Sequence, residues 1–329
     1  MEYINSPRTD PCWNLALEQY VFDSMDRSKS YFMLWQNHNT IVVGKNQNTV
    51  EEINSDFVRA HDITVVRRLS GGGAVYHDLG NLNFTFITDA DKMDGIDLHM
   101  FCVPIVETLR SFGVQAEISG RNDITVDGKK FSGNSQYVRE GRVMHHGTIM
   151  FDSDLTTVTQ ALQVDREKIQ SKGIKSVASR VTNLRPYMPE GTTLAQFRQR
   201  LLEYLSAAEP LHTLTLTAAD ETQIEAIRAA RYATWEWNYG RSPKFDVRCK
   251  RYWDGGCLEA NVSIANGVIT DVRFFGDFLS VCGLEELVER LKGVTFRPED
   301  VRAVLNDSPV GELFGSITAD EVTATIFDL

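Results

Sequence analysis

With 329 residues, 42% of them hydrophobic and 24% charged, the chain has the composition of a soluble globular protein and room for about two domains. A formal net charge of −11 argues against a general binder of nucleic acid or anionic membrane, while leaving space for a local basic site. Five scattered cysteines without a Cys-x-x-Cys pair, no apolar run of about 18 residues and no secretory signal at Met1–Pro7 lead to the expectation of a reduced, cytoplasmic protein.

In chain order, Asp10-Pro11 reads as the cap and first turn of a helix over residues 12–27, where Trp13, Leu17, Tyr20 and Val21 recur at helical spacing. Buried strands are predicted at Tyr31–Trp35 and Ile41–Val43. Gly44-Lys45-Asn46-Gln47-Asn48 is read as a polar turn, because Asn39 and Asn46 stand where a Walker A motif needs Gly and Ser/Thr. Thr49–His61 is predicted to form one amphipathic helix, and Leu82–Thr88 a half-buried strand with Leu82, Phe84 and Phe86 on the core side. Leu98–Phe112 reads as a helix stopped by Gly113. Strands are then expected at Val114–Ser119, Asp123–Val126, Lys129–Val138 and Val143–Phe151, with Asp127-Gly128 and the weaker Glu140-Gly141 as hairpin turns. Helices follow at Thr193–Ala207 and Ala219–Thr234. After a composition change at Trp235–Phe245 come an Asn266-Gly267 hairpin between Leu258–Ala265 and Val268–Phe275, and helices at Leu284–Leu291 and Pro298–Leu305. The pattern is α+β, divided near 240–246 into a larger domain, 1–243, and a small one, 244–329.

The most informative stretch is Arg67-Arg68-Leu69-Ser70-Gly71-Gly72-Gly73-Ala74-Val75-Tyr76-His77. Successive glycines are costly to order, so a fold keeps them where backbone needs positive φ or must approach a ligand closely. With two guanidinium groups at its entrance, the loop suits a phosphate or carboxylate held by backbone N–H groups and an Arg fork; a tight hairpin with solvated arginines is the alternative. In Lys130-Phe131-Ser132-Gly133, alternation sets Lys130 opposite Phe131. If Phe131 is in the core, the ammonium faces a cleft, where it can neutralise phosphate oxygens and polarise a carbonyl; an isolated strand lysine otherwise faces solvent. Asp123 can offer a carboxylate to Mg²⁺ travelling with nucleotide phosphates. His145 and His146, adjacent on a predicted strand, point to opposite faces and cannot easily chelate one metal, so no zinc site is expected. Residues 165–185 carry six Lys or Arg against two Asp or Glu, which is either a basic loop or a solvated face.

Together, Arg67–Asn81, Gly120–Asp123, Lys130–Gly133, His146–Thr148 and Lys172–Asn183 resemble the lipoate–protein ligase A family in order and spacing, and Trp235–Phe245 resembles the start of that family's small C-terminal domain. The resemblance spans nearly the whole chain. It implies a large α+β catalytic domain related to the biotin ligases, with mixed, mainly antiparallel sheets, plus a small C-terminal α+β domain. It also implies activation of lipoate by Mg-ATP, a co-substrate, to lipoyl-AMP and pyrophosphate. Transfer would follow to a lysine of the lipoyl domains of 2-oxoacid dehydrogenase E2 subunits or of the glycine-cleavage H protein. Octanoate is an alternative acyl substrate. No tightly bound cofactor, nucleic acid or membrane is implied, and a monomer is expected.

By position in the resembling motifs, Lys130 would be the catalytic lysine, touching both the acyl carbonyl and the α-phosphate. Arg68, Gly73, Ala74, Val75, Tyr76, Lys130, Asp123, Lys172, Ser179 and Arg180 would hold ATP or the adenylate, Asp123 together with Mg²⁺. Ser70, Gly71, Gly72, His77, Lys130, Gly133, Ser135 and His146 would border the lipoyl chain. Ser135 stands where Ala is more usual, so its hydroxyl would alter the pocket wall.

Other readings stay open on sequence. A transferase on the same fold working through a cysteine thioester would need Cys12, Cys102 or a cysteine of the C-terminal part, since none lies between Cys102 and Cys249. A biotin ligase lacks its Gly-Arg-Gly-Arg-type loop, where Arg-Arg-Leu-Ser-Gly-Gly-Gly stands instead. A non-catalytic lipoate or nucleotide sensor would keep the fold without the chemistry; the intact Lys130 and Gly-rich loop speak against it.

Overall fold

Runs rich in β-branched and aromatic residues form the strands β1 (Glu2–Asn5), β2 (Tyr31–Trp35), β3 (Thr40–Val43), β4 (Thr64–Arg67), β5 (Val75–His77), β6 (Asn81–Asp89), β7 (Ala116–Ser119), β8 (Asp123–Val126), β9 (Lys129–Arg139), β10 (Arg142–Met150), β11 (His212–Thr213), β12 (Val247–Trp253), β13 (Gly256–Ala265) and β14 (Val268–Gly276). This is a computed structural model, and it describes residues 1–89, 98–120, 122–162, 181–239, 247–265 and 267–327. An eight-stranded sheet has the order β11-β1-β2-β6-β10-β9-β8-β7, parallel at β11-β1-β2 and antiparallel elsewhere. A second sheet, β4-β3-β5, carries the Gly-rich loop between its outer strands; the third, β12-β13-β14, belongs to the C-terminal part.

Both faces of the large sheet are covered. Phe32, Leu34, Leu82, Phe84 and Phe86 pack on one face with Phe101 and Ile105 of the helix Leu98–Ser111 and with Phe197 and Leu201 of the helix Leu194–Ala208. On the other face, Tyr31, Met33 and Trp35 pack with the helix α1 (Pro11–Ser24). Asp10 starts α1 by accepting from Cys12 N–H, and Pro11 fills the first turn. The helix stops earlier than the spacing predicts, with Arg142 donating to the carbonyls of Phe22 and Met25 at its end.

Three further expectations change. Thr49–His61 divides into α2 (Thr49–Glu52) and α3 (Ser55–Ala60), because Ile53 bridges to Leu162 and Asn54 accepts from Phe57 N–H as a new cap. The helix expected to Thr234 ends as α-helix at Ile227 and continues as a wider π turn, Arg228–Tyr232. Most consequentially, β6 is not half-buried: Asn81, Asn83 and Thr85, on the face opposite its phenylalanines, are also buried. The Asp127-Gly128 and Glu140-Gly141 turns have positive φ at both residues (49° and 70°, 51° and 73°), as a two-residue hairpin of the right twist requires.

The C-terminal part has its own hydrophobic core, in which Leu258, Val262, Val272 and Phe278 pack with Leu287, Val301, Phe314 and Ile326 of the helices that follow. Among the described residues, no helix is long and apolar enough to cross a membrane.

Candidate active site

Strand register lines up one row of residues across the large sheet. Trp35 of β2 pairs with Asn83 of β6, which pairs with Thr148 of β10. Gly133 N–H of β9 donates to Thr148 Oγ1 at 3.2 Å, and Gly133 pairs with Asp123 of β8. The Gly-rich loop and β5 lie over this row and enclose a cavity of about 110 Å³. Its apolar walls are Leu15, Trp35, Val42 and Val75; Lys130 and Asn122 also line it.

Lys130 reaches the cavity through a fault in β9. The β8–β9 register shifts between Ile124 and Thr125, so that Ile124 pairs with Ser132 but Thr125 with Lys130. Phe131 is the extra residue, and a bulge of this kind changes the parity of a strand. Phe131 is fully buried in the core, while Lys130 shares the cavity side with Gly133 and Ser135. The ammonium stretches over Gly133, where an added Cβ would come within 2.9 Å of Nζ. Asp123 Oδ1 holds it at 2.6 Å.

The two arginines face inward and are occupied by the protein itself. Arg67 donates to the carbonyls of Gly44, Lys45, Gln47, Trp237 and Asn238 and to Thr49 Oγ1, and burial pushes its pKa down to about 10. It is a staple, and the reading of paired guanidinium groups open to an anion does not apply to it. Arg68 lines the cavity, but donates to the carbonyls of Val42, Gly71 and Gly73 and to Ser70 Oγ. Burial lowers its pKa to about 10, against the opposing pull of Glu18. The loop is therefore shaped by Arg68, whose donors turn its carbonyls to one side.

Two further features fix the loop. Gly72 has φ +88°, the left-handed region that glycine alone enters freely. Gly71 lies against the C-terminal part, where a Cβ would meet Phe278 O at 2.9 Å and Ser280 N at 2.8 Å. Ser135 Oγ donates to Gly71 O at 2.9 Å, so its hydroxyl ties the loop to the floor of the cavity.

Beneath the loop, Ser70 Oγ meets His146 Nε2 at 2.6 Å, and His146 Nδ1 meets Glu18 Oε1 at 3.0 Å. Glu18 also accepts from Thr85 Oγ1, which accepts from the Trp35 indole N–H. His145 points the other way, as expected: it stacks on Phe101 and Phe84 and contacts Asn134 Oδ1 through Nε2. Burial holds its pKa well below the usual histidine value. Asn134 in turn clamps Asn122, which donates to Asn134 O at 2.7 Å.

Of the residues singled out in the sequence, the cavity brings together Arg68, Gly72, Gly73, Ala74, Val75, His77, Lys130, Gly133, Ser135 and His146. Ser70 and Gly71 lie behind its wall, in the contacts just given. Tyr76 is buried in the cluster beneath the second sheet, its hydroxyl donating to Asn39 Oδ1, and burial raises its pKa to about 12. Asp123 is the partner of Lys130, and among the described residues no group of three or more His, Cys, Asp or Glu could hold a metal. Lys172, Ser179 and Arg180 lie outside the described residues; just after them, Thr182 N–H donates to Lys130 O at 2.8 Å. None of the five cysteines lines the cavity, and burial raises the Cys12 thiol to about 11.

Sequence reasoning missed Glu18, Trp35 and Asn83. A carboxylate between Leu17 and Tyr20 in an apolar helix was a signal for Glu18, since buried charge needs a partner. Alternation puts Asn83 on the face opposite Leu82, Phe84 and Phe86, and that face meets the cavity rather than solvent.

Residues 10–206 match the family model for the lipoyl protein ligase A/B catalytic domain, and residues 242–326 that for the bacterial lipoate protein ligase C-terminus. The chain is 41% identical over 326 residues to lipoate-protein ligase LplJ of Bacillus subtilis, and 41% identical over 323 residues to lipoate–protein ligase 1 of Staphylococcus aureus; each match covers 98% of both chains. Among solved structures, it is similar to P. falciparum LipL1 in complex with lipoate, with 26% identity, a TM-score of 0.83 and 100% of both chains covered.

Proposed function

Because the chain belongs to the lipoyl protein ligase A/B family, we propose that it is an ATP-dependent lipoate–protein ligase with a catalytic domain over 1–243 and an accessory domain over 244–329. The observation that carries this reading is the ammonium of Lys130 beside the Gly-rich loop, at a cavity whose walls are largely apolar. An acyl chain fits the walls, and its carboxylate needs a cation where it meets a phosphate.

In the first step, a lipoate carboxylate oxygen attacks the α-phosphorus of ATP, and the bond to the bridging oxygen breaks as pyrophosphate leaves with the electron pair. Two anions must approach each other, and Lys130 offsets that repulsion. In the second step, a neutral acceptor-lysine amine attacks the acyl carbonyl, the acyl–oxygen bond of the adenylate breaks, AMP departs and the amine loses a proton. Lys130 then steadies the oxyanion. Arg68, through the carbonyls it holds, gives the loop its shape, and Gly73, Ala74 and Val75 border the nucleotide. Gly72, His77, Gly133, Ser135 and His146 border the acyl chain, with Ser70 and Gly71 behind them. Mg²⁺ arrives with ATP; Asp123, already engaged with Lys130, could share it only by loosening that ion pair.

The acceptors in this reading are lipoyl domains of 2-oxoacid dehydrogenase E2 subunits and the glycine-cleavage H protein, modified by a monomer. Mixing the protein with ATP and lipoate tests the first half: lipoate-dependent pyrophosphate release is expected, and its absence would sink the proposal. Lipoylation of a purified lipoyl domain or H protein, followed by intact mass, tests the second.

A further inference from the structure

Two hydrogen-bond donors at the cavity are buried and without partners among the described residues: His77 Nε2 and Asn83 Nδ2. Both side chains are more than nine-tenths buried, at 3% and 1% exposure. The protonation of His77 follows from its neighbours. Asn14 Nδ2 donates to Asn37 Oδ1 at 2.9 Å, which turns the Asn37 amide nitrogen toward His77 Nδ1 at 3.2 Å. Nδ1 must then accept, and the single proton of a neutral imidazole sits on Nε2. Burial, with Arg68 and His146 adding to it, lowers the His77 pKa to about 3, so the ring is neutral at ordinary pH. Asn81 Nδ2 donates to Asn83 Oδ1 at 2.8 Å, leaving the Asn83 amide hydrogens unused.

Both residues adjoin Trp35: the His77 ring meets it edge-on at 6.1 Å, and Asn83 pairs with it across the strands. This end of the cavity lies away from Lys130. Strand β9 is two places from β6 in the sheet, about 10 Å at the usual spacing. An extended octanoyl or lipoyl chain with its carboxyl group at Lys130 has that reach, so its far end would arrive at Trp35, His77 and Asn83.

Building on the ligase reading, we propose that His77 and Asn83 form a selectivity site for the far end of the acyl chain, favouring one that carries hydrogen-bond acceptors, as the two sulfurs of a dithiolane ring do, over a plain alkyl chain. Sulfur is a weak acceptor, but a terminal methyl group has no lone pair at all. A saturated chain would therefore leave the two buried donors without a partner, whereas the ring sulfurs would give each of them one. Weak acceptors give modest discrimination, on the order of tenfold in kcat/KM for lipoate over octanoate.

The test is competition. Equal concentrations of lipoate and octanoate are supplied with ATP and a purified lipoyl domain, and the lipoylated and octanoylated products are separated by intact mass. Wild type is expected to favour lipoate on the order of tenfold, and N83L and H77F each to bring the ratio toward one. Both products come from the same sample, so a partly misfolded variant does not distort the ratio. A wild-type ratio near one, or a ratio unmoved in both variants, would overturn the selectivity site while leaving the ligase reading intact. Absence of pyrophosphate with either acid would remove the ligase reading and this inference with it.

Discussion

In the proposed mechanism Lys130 would serve two consecutive steps, and its charge is suitably anchored but not buried. Its side chain is one-third exposed, and Asp123 holds it from one side only, leaving the ammonium able to exchange partners. We expect Lys130→Ala to lower pyrophosphate release and acyl transfer by roughly 10²–10³, as for loss of a single charge-stabilising donor. Near-normal adenylate formation in that variant would remove Lys130 from the mechanism. His77 and His145 make a different kind of statement, about stability. Both are held neutral by burial, His77 with a pKa of about 3 and His145 well below the usual value. Between pH 6.5 and about 3 the unfolded chain takes up a proton at position 77 that the folded chain refuses. Stability therefore falls as pH falls through that window, by up to about 1.4 kcal/mol per pH unit for each such histidine. Urea midpoints from pH 7 to 5 are expected to decline, with a shallower slope in His77→Gln; an equal slope would contradict the assignment.

At the scale of elements, the loop is organised by what surrounds it rather than by its own glycines. Arg67 joins β4, the polar turn at 44–47, Thr49 and the backbone at 237–238 through one guanidinium. Lysine keeps the charge but not the planar fork, so Arg67→Lys should destabilise the fold by about 3 kcal/mol or more, measured by denaturant unfolding. A loss below about 0.5 kcal/mol would mean that these carbonyls find water instead. Much of this level was legible beforehand. A continuous apolar run marked β2, alternation marked β6, and the Asp127-Gly128 turn announced its hairpin by residue type alone. The bulge at Phe131 was not legible, because a register shift is settled by the partner strand and leaves no trace in the order Lys-Phe-Ser-Gly. Nor was the inward orientation of Arg67 and Arg68, since arginine is ordinarily a surface residue and only the completed loop supplies enough carbonyls to keep it inside. The polar face of β6 misled for a related reason: alternation reveals two faces, but not whether the second meets water or a ligand cavity.

Across the whole molecule, the C-terminal part is seated directly on the Gly-rich loop. Gly72 N–H donates to Phe278 O, Gly276 N–H to Asn46 O and Val138 N–H to Val281 O, and Lys45 pairs with Glu285 at 3.2 Å. That ion pair has an exposed carboxylate partner and should contribute little by itself. The tight backbone approach at Gly71 matters more. We expect Gly71→Ala to push the two parts apart while leaving both cores folded, seen as a larger radius of gyration by small-angle scattering with unchanged far-ultraviolet circular dichroism. An unchanged radius would show that residues 278–280 yield without separation.

The bond from Gly72 N–H to Phe278 O has a thermodynamic corollary. That amide cannot serve a ligand's oxygen and the C-terminal backbone at once, so any ligand that uses it binds in competition with the seated arrangement. Its apparent dissociation constant is then the intrinsic value divided by the fraction of molecules with the amide released. The coupling is reciprocal: whatever weakens the seat strengthens the ligand in proportion to the rise in that fraction, and the ligand in turn loosens the seat. Substitutions in residues 278–280, remote in sequence from every group proposed to touch substrate, would on this account read out as changes in affinity at the loop.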